Sequence, residues 1–71
     1  MATDQGEAAA QFILGAMYEE GEGVPQDFVQ AHMWFNLAGA SGNVSGLKIR
    51  DIIARKMTLD QIADAQHLAR E

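Results

Sequence analysis

The sequence predicts an all-α fold of about four helices arranged as antiparallel helical hairpins. Three observations point there. Apolar residues recur at helical spacing, no segment alternates with the period of two that a half-buried strand requires, and glycine or capping residues punctuate the periodic runs.

Helix one is expected to start at Asp4, where Asp4-x-x-Glu7 has capping-box spacing, and to run to about Glu20 before Gly21 stops it. Helix two is expected to begin near Pro25, because a residue without an N–H suits a first helical turn, and to end about Ala40 or Ser41 with Gly42 as its stop. Asn43 is placed to cap a third helix reaching about Lys56, and Thr58-x-x-Gln61 is a second capping-box pattern that opens a fourth helix to the C-terminus. Short links make sequential helices antiparallel neighbours, which gives two stacked hairpins.

At about 100° per residue, Ala10, Ile13, Leu14, Met17 and Tyr18 share one face of helix one, while Ala9, Phe12 and Ala16 fall opposite. Helix two repeats the anomaly, with Phe28, Ala31, Trp34, Phe35 and Ala38 on one arc and Val29, Met33, Leu37 and Ala40 on another. A helix apolar on two faces has to be covered on two sides. The last two helices carry single stripes, Ile49, Ile52, Ile53 and Met57 in one, and Ile62, Ala65, Leu68 and Ala69 in the other, as a terminal capping hairpin should.

At 71 residues the chain is one domain at most, with a core expected to supply about 3–5 kcal/mol of net stability unless a staple or a partner adds to it. Cysteine is absent, which removes disulfides and thiolate metal sites and suits a reducing compartment. Ten acidic against five basic side chains give a formal net charge of −5, which repels phosphate backbones and anionic membranes, so neither nucleic acid nor membrane is an expected partner. The N-terminus MATDQGE is acidic where a secretory signal would be basic, and the apolar run AAAQFILGAMY is too short to span a bilayer. A cytoplasmic location is the expectation.

The pattern Ala10-x-x-x-Leu14-Gly15-x-x-Tyr18, Gly21-x-Gly23-Val24-Pro25-x-Asp27, Ala31-x-x-Trp34-Phe35-x-x-Ala38 and Gly42-Asn43 closely resembles a Sel-one-like repeat, a relative of the tetratricopeptide repeat. The match covers about residues 7 to 43. The resemblance implies a helical hairpin of the α/α superhelix type that works as a scaffold for protein–protein contact and not as a catalyst. It divides the chain into one repeat at residues 1–43 and a C-terminal capping hairpin at residues 44–71. Two departures stand out: Arg50-Asp51 occupies the place where a following repeat would have Leu-Gly, and Gly39 stands where alanine is usual. Physically, Ala10, Gly15, Ala31 and Ala38 are small where helices approach, and Leu14, Tyr18, Trp34 and Phe35 fill the space around them.

No catalytic, cofactor or metal site is expected. Glu19, Glu20, Glu22 and Asp27 do not reproduce the ligand spacing of a calcium loop; the neighbouring glycines suit a turn, and Asp27 is placed to accept first-turn amides of helix two. His32 and His67 lie thirty-five positions apart, too few ligands for zinc, and are read as surface histidines. Ser41 and Ser45 border a turn with no nucleophile motif around them. The resemblance puts helix one on a concave, ligand-facing surface, which makes Ala9, Phe12, Ala16, Glu19 and Glu20 the candidate partner-binding face. Its alternative is that Phe12 packs against a preceding element or a second copy.

The function expected is a non-enzymatic protein-interaction module that self-associates through the unused faces of the first two helices, its acidic rim favouring a basic protein or peptide. A second reading is the C-terminal piece of a longer repeat array. A third, a small hydrolase of the penicillin-hydrolysing type found among secreted relatives, is weakened by the missing cysteines.

Overall fold

The computed structural model describes residues 2–70, and the side chains of residues 6–70. Four helices follow one another: α1 (Ala2–Glu20), α2 (Phe28–Ala40), α3 (Val44–Ala54) and α4 (Leu59–Arg70). The all-α class is as expected. The radius of gyration, 11.2 Å, matches the roughly 11 Å of a globular chain of this length, so the helices close on one another and do not string out.

The turns follow from local chemistry. At the end of α1, Gly21 takes φ 73°, and the amides of Gly21 and Glu22 both donate to the Met17 carbonyl, at 2.8 and 3.0 Å. Those bonds satisfy a carbonyl that the helix end would otherwise leave open. At the end of α2, Gly42 takes φ 105°, and Asn43 and Gly42 donate to the carbonyls of Ala38 and Gly39 at 2.9 and 3.1 Å in a Schellman arrangement. Asn43 then turns directly into the cap of α3, its side chain accepting from the Gly46 amide at 3.0 Å. The box at Thr58 is complete: Thr58 N–H donates to Gln61 Oε1 at 2.9 Å and Gln61 N–H donates to Thr58 Oγ1 at 3.1 Å.

Two helix starts differ from expectation. The backbone of α1 is already helical at Ala2, so Asp4 sits inside the helix and is not its cap; the Asp4 side chain lies outside the described residues. Pro25 is not in the first turn of α2 but in the link before it, because the helix opens at Phe28 with Asp27 as N-cap. Asp27 Oδ1 accepts from Val29 and Gln30 at 3.0 and 3.2 Å, and a carboxylate holding two orphan amides outweighs the modest preference of proline for that turn.

Packing centres on α2. It makes all three of the extensive helix–helix contacts, with α1, α3 and α4. The first of its apolar arcs is covered from within the chain, with Ala31, Phe35 and Ala38 buried, whereas Val29, Met33 and Leu37 of the second are half-buried and Ala40 is exposed. Ala31 and Phe35 of α2 and Ile53 of α3 are fully buried and form the core, with Phe12, Ala16, Tyr18, Phe28, Ile49 and Met57 packed around them. Close approach depends on missing side chains: a Cβ on Gly15 would stand 2.9 Å from the Phe35 ring, and one on Gly46 would stand 2.9 Å from the Phe35 carbonyl oxygen. A Cβ on Gly39 would overlap the Leu47 side chain, which accounts for glycine at that departure from the repeat pattern.

Helix α1 is rotated relative to its expected orientation. Ala8 and Gly15 are buried and Phe12 is half-buried, whereas Ala10 and Ile13 are exposed. Phe12 meets Phe35 edge to face, with ring centroids 5.3 Å apart and planes at 69°. The stripe Ala8, Phe12, Gly15 faces α2; of the arc expected in the core, Ala10 and Ile13 are exposed and Leu14 and Met17 are half-buried. Among the expected core residues of α1, Tyr18 packs inward.

Candidate functional site: the outer face of helix α1 and the cleft beside α2

The five residues of the expected partner-binding face divide between two stripes. Ala9 and Glu20 are exposed and Ala16 is half-buried; with Ile13 they fall at i, i+4, i+7 and i+11, one line along the helix surface. Phe12 and Glu19 belong to the neighbouring stripe that begins at Ala8, and both are half-buried. Phe12 is thus a packing residue against Phe35, and Ile13, 58% exposed, is the large apolar side chain at the centre of what remains. Ala9 also lines a shallow groove with Ala8, Ser41, Gly42, Asn43 and Val44. Val44 is 63% exposed, so apolar surface continues from α1 toward the start of α3.

The acidic stretch after α1 is held by its backbone. Gly23 takes φ 76°, Gln26 Nε2 donates to the Glu19 carbonyl at 2.8 Å, and the Asp27 amide donates to the Tyr18 carbonyl at 3.0 Å. Glu20, Glu22 and Asp27 are exposed, and among the described residues no three acidic or histidine side chains converge as metal ligands. Ser41 is half-buried and Ser45 exposed, at the α2–α3 turn.

His32 is a correction. It is 4% exposed and not on the surface; it shares the inward arc with Phe28 and Phe35 at i−4 and i+3. Its Nδ1 is buried without a hydrogen-bond partner. Burial first, and the Arg50 charge second, hold its pKa below the 6.5 of a free imidazole, with Asp51 acting in the opposite sense. The folded state therefore prefers the neutral ring. As pH falls below about 6.5 the unfolded chain takes up the proton more readily, so stability present at neutral pH is lost on acidification through the lowered folded-state pKa. The expected result is a urea midpoint that declines from pH 7 to pH 5, with a shallower decline in His32→Leu; equal slopes would contradict it.

His32 lines a cleft of about 430 Å³ between α2, α3 and α4. Arg50 is its most constrained polar group: Nη1 donates to Asn36 Oδ1 at 2.7 Å, while Nε and Nη2 donate to Asp51 Oδ1 at 3.2 and 3.0 Å. The bond to Asn36 joins α3 to α2 across fourteen positions of sequence, whereas those to Asp51 stay within α3. Nothing local announces the Asn36 bond, although His32 could have been placed inward from its spacing to Phe28 and Phe35. His67 is exposed.

A helical hairpin closed by a glycine turn, with small residues at its crossing and aromatics around them, defines a helical-repeat protein. The Sel1 repeat model matches residues 8–43, and the chain belongs to that family. The residues of the signature are placed as follows. Ala31, Phe35, Ala38 and Gly15 are buried; Leu14, Tyr18, Val24 and Trp34 are half-buried; Gly21, Gly23 and Gly42 have positive φ; Asp27 caps; Pro25 and Ala10 are exposed. Sel1 repeats are typically non-catalytic protein-interaction modules. No curated protein and no solved structure matches the chain closely enough to add to this. Among the described residues, no helix is long and apolar enough to cross a membrane.

Proposed function

We propose that the chain is a protein-contact module that associates with a second copy of itself through the outer face of α1, without catalysing a reaction. The observation that carries this is the apolar surface α1 leaves open on the side away from α2, its one extensive helix partner, with Ile13 58% exposed. The outer side of α1 presents Ala9, Ala10 and Ile13 to solvent, with Leu14 and Met17 only half covered. Exposed contiguous apolar surface of this kind marks an interface. A copy offers the same apolar surface in return, as a two-fold contact requires, and an added interface would support a chain whose own core is small. The partner-binding residues in this reading are Ala9, Ile13 and Glu20, with Ala16, which also packs toward the core, at their edge and Ile13 in place of Phe12. Domain limits of 1–43 and 44–71, a cytoplasmic setting and a scaffold role belong to the same proposal.

The exposed Glu20 at the end of this line supports a second reading, in which a basic protein or peptide lies along this face. Sedimentation of the purified chain with Ile13→Glu as comparison separates the two. Self-association predicts a concentration-dependent mass for the native chain and a dissociation constant at least about tenfold higher for the variant. Because Ile13 is exposed, its thermal midpoint should move by less than about 4 °C. A native monomer at high micromolar concentration would sink self-association and leave the heterologous partner. Phe12→Glu is unsuited to this test, since it places a charge against Phe35 and threatens the fold itself.

A further inference from the structure

The cleft between α2, α3 and α4 lies away from the outer face of α1, and its lining differs in kind from the rest of the molecule. In a chain of net charge −5, its walls carry Arg50 and Arg70 against one acid, Asp51. Asn36 and Gln66 add uncharged polar groups and Ala54, Ile62 and Ala69 apolar ones, with Ile62, Gln66 and Ala69 on one stripe of α4 at i, i+4 and i+7. The volume, about 430 Å³, falls within the range of small-ligand pockets.

Arg50 is prepared for an additional acceptor. A guanidinium has five N–H donors, and three of them are used, one on Nε and one on each Nη, by Asp51 and Asn36. One N–H remains on Nη1 and one on Nη2, charged donors of the kind a carboxylate accepts. Holding Arg50 from both sides removes part of the ordering cost that a long side chain otherwise sets against binding. Asp51 in the same wall disfavours a dianion, so a single negative charge is the better match. Ile62 and Ala69, half-buried on α4, offer contact to an apolar group carried next to that charge.

We propose that this cleft binds a monocarboxylate bearing a small apolar substituent, either a free organic acid or the C-terminal residue of a peptide, with Arg50 taking the carboxylate. The proposal does not depend on self-association through α1.

The test is an amide-resolved NMR titration of the full chain with N-acetyl-leucine, with its uncharged methylamide, and with an acetylated tetrapeptide ending in leucine, free or amidated at its C-terminus. Saturable shifts at Asn36, Arg50 and Gln66 with the free acids, and none with the two amides, are expected. A peptide binding more tightly than N-acetyl-leucine identifies a chain terminus as the source of the carboxylate; equal affinity identifies the free acid. Arg50→Gln should weaken binding about tenfold or more. Since Arg50 also bridges to Asn36, the exposed Gln66→Glu is the second variant, which adds a charge at the rim and should weaken the acids about as much while leaving the circular dichroism unchanged. Absence of saturation by either acid at 10 mM, equal binding of acid and amide, or unaltered affinity in folded Gln66→Glu would each overturn the proposal.

Discussion

Phe35→Ala is expected to abolish the cooperative thermal transition at room temperature and above. Phe35 is fully buried and meets residues of both α1 and α3. Its ring takes the edge-to-face contact of Phe12 from α1, lies where Gly15 leaves no Cβ, and packs with Ala31 and with Ile53 of α3. Removing a buried phenylalanine costs about 3–5 kcal/mol in transfer and cavity terms. The net stability of a core this small is also about 3–5 kcal/mol, so the loss is of the same size as everything available. The measurement is ellipticity at 222 nm against temperature; a sigmoidal transition within a few degrees of the native one would show that Phe35 is not the centre of the core.

Ile53→Ala should cost about 2–5 kcal/mol, against a small effect from Ile52→Ala one position earlier. Ile53 is fully buried, whereas Ile52 is 50% exposed, so the pair reads the register of α3 directly. Ile53 packs with Phe35 and Ala31, and Met57, next to the turn into α4, packs on the same cluster. Losing the Ile53 side chain loosens the entry to α4 as well as α3. Urea unfolding should show a clearly lower midpoint for Ile53→Ala only, and hydrogen exchange should show α4 amides losing protection early. Equal midpoints for the two variants would mean that α3 is rotated from the orientation described.

Much of the fold was legible because its signals are local. Asn43, Thr58 with Gln61, and Asp27 act within three residues of themselves, and Gly21 and Gly42 serve backbone positions with positive φ. Which face of α1 turns inward was not legible, because both arcs are apolar and hydrophobic content does not choose between them. The discriminating residue was Gly15: contact close enough to exclude a Cβ marks the inner stripe, and Ala8 and Phe12 lie on that stripe with it. Asp4 and Pro25 show the opposite failure, in which a sound local signal is passed over by a helix that starts earlier or by a better cap nearby.

The candidate site was legible only in part. Ala9, Ala16 and Glu20 were singled out together with Phe12, but Ile13 was assigned to the core, and one step of 100° separates the two side chains. The cleft beside α2 was not foreseen, since Asn36, Arg50 and His32 come together only when α3 folds back over α2. Long-range contacts of that kind depend on helix rotation, which the apolar pattern of a two-faced helix leaves open.

Methyl NMR on a dilution series tests the central claim most directly, with Ile13 as the reporter for the outer face of α1 and Ile53 as an internal control in the core. Association through α1 predicts that the Ile13 methyl resonances shift saturably between low micromolar and millimolar concentration while those of Ile53 stay in place. Resonances of Ile13 that do not move across that range would contradict it.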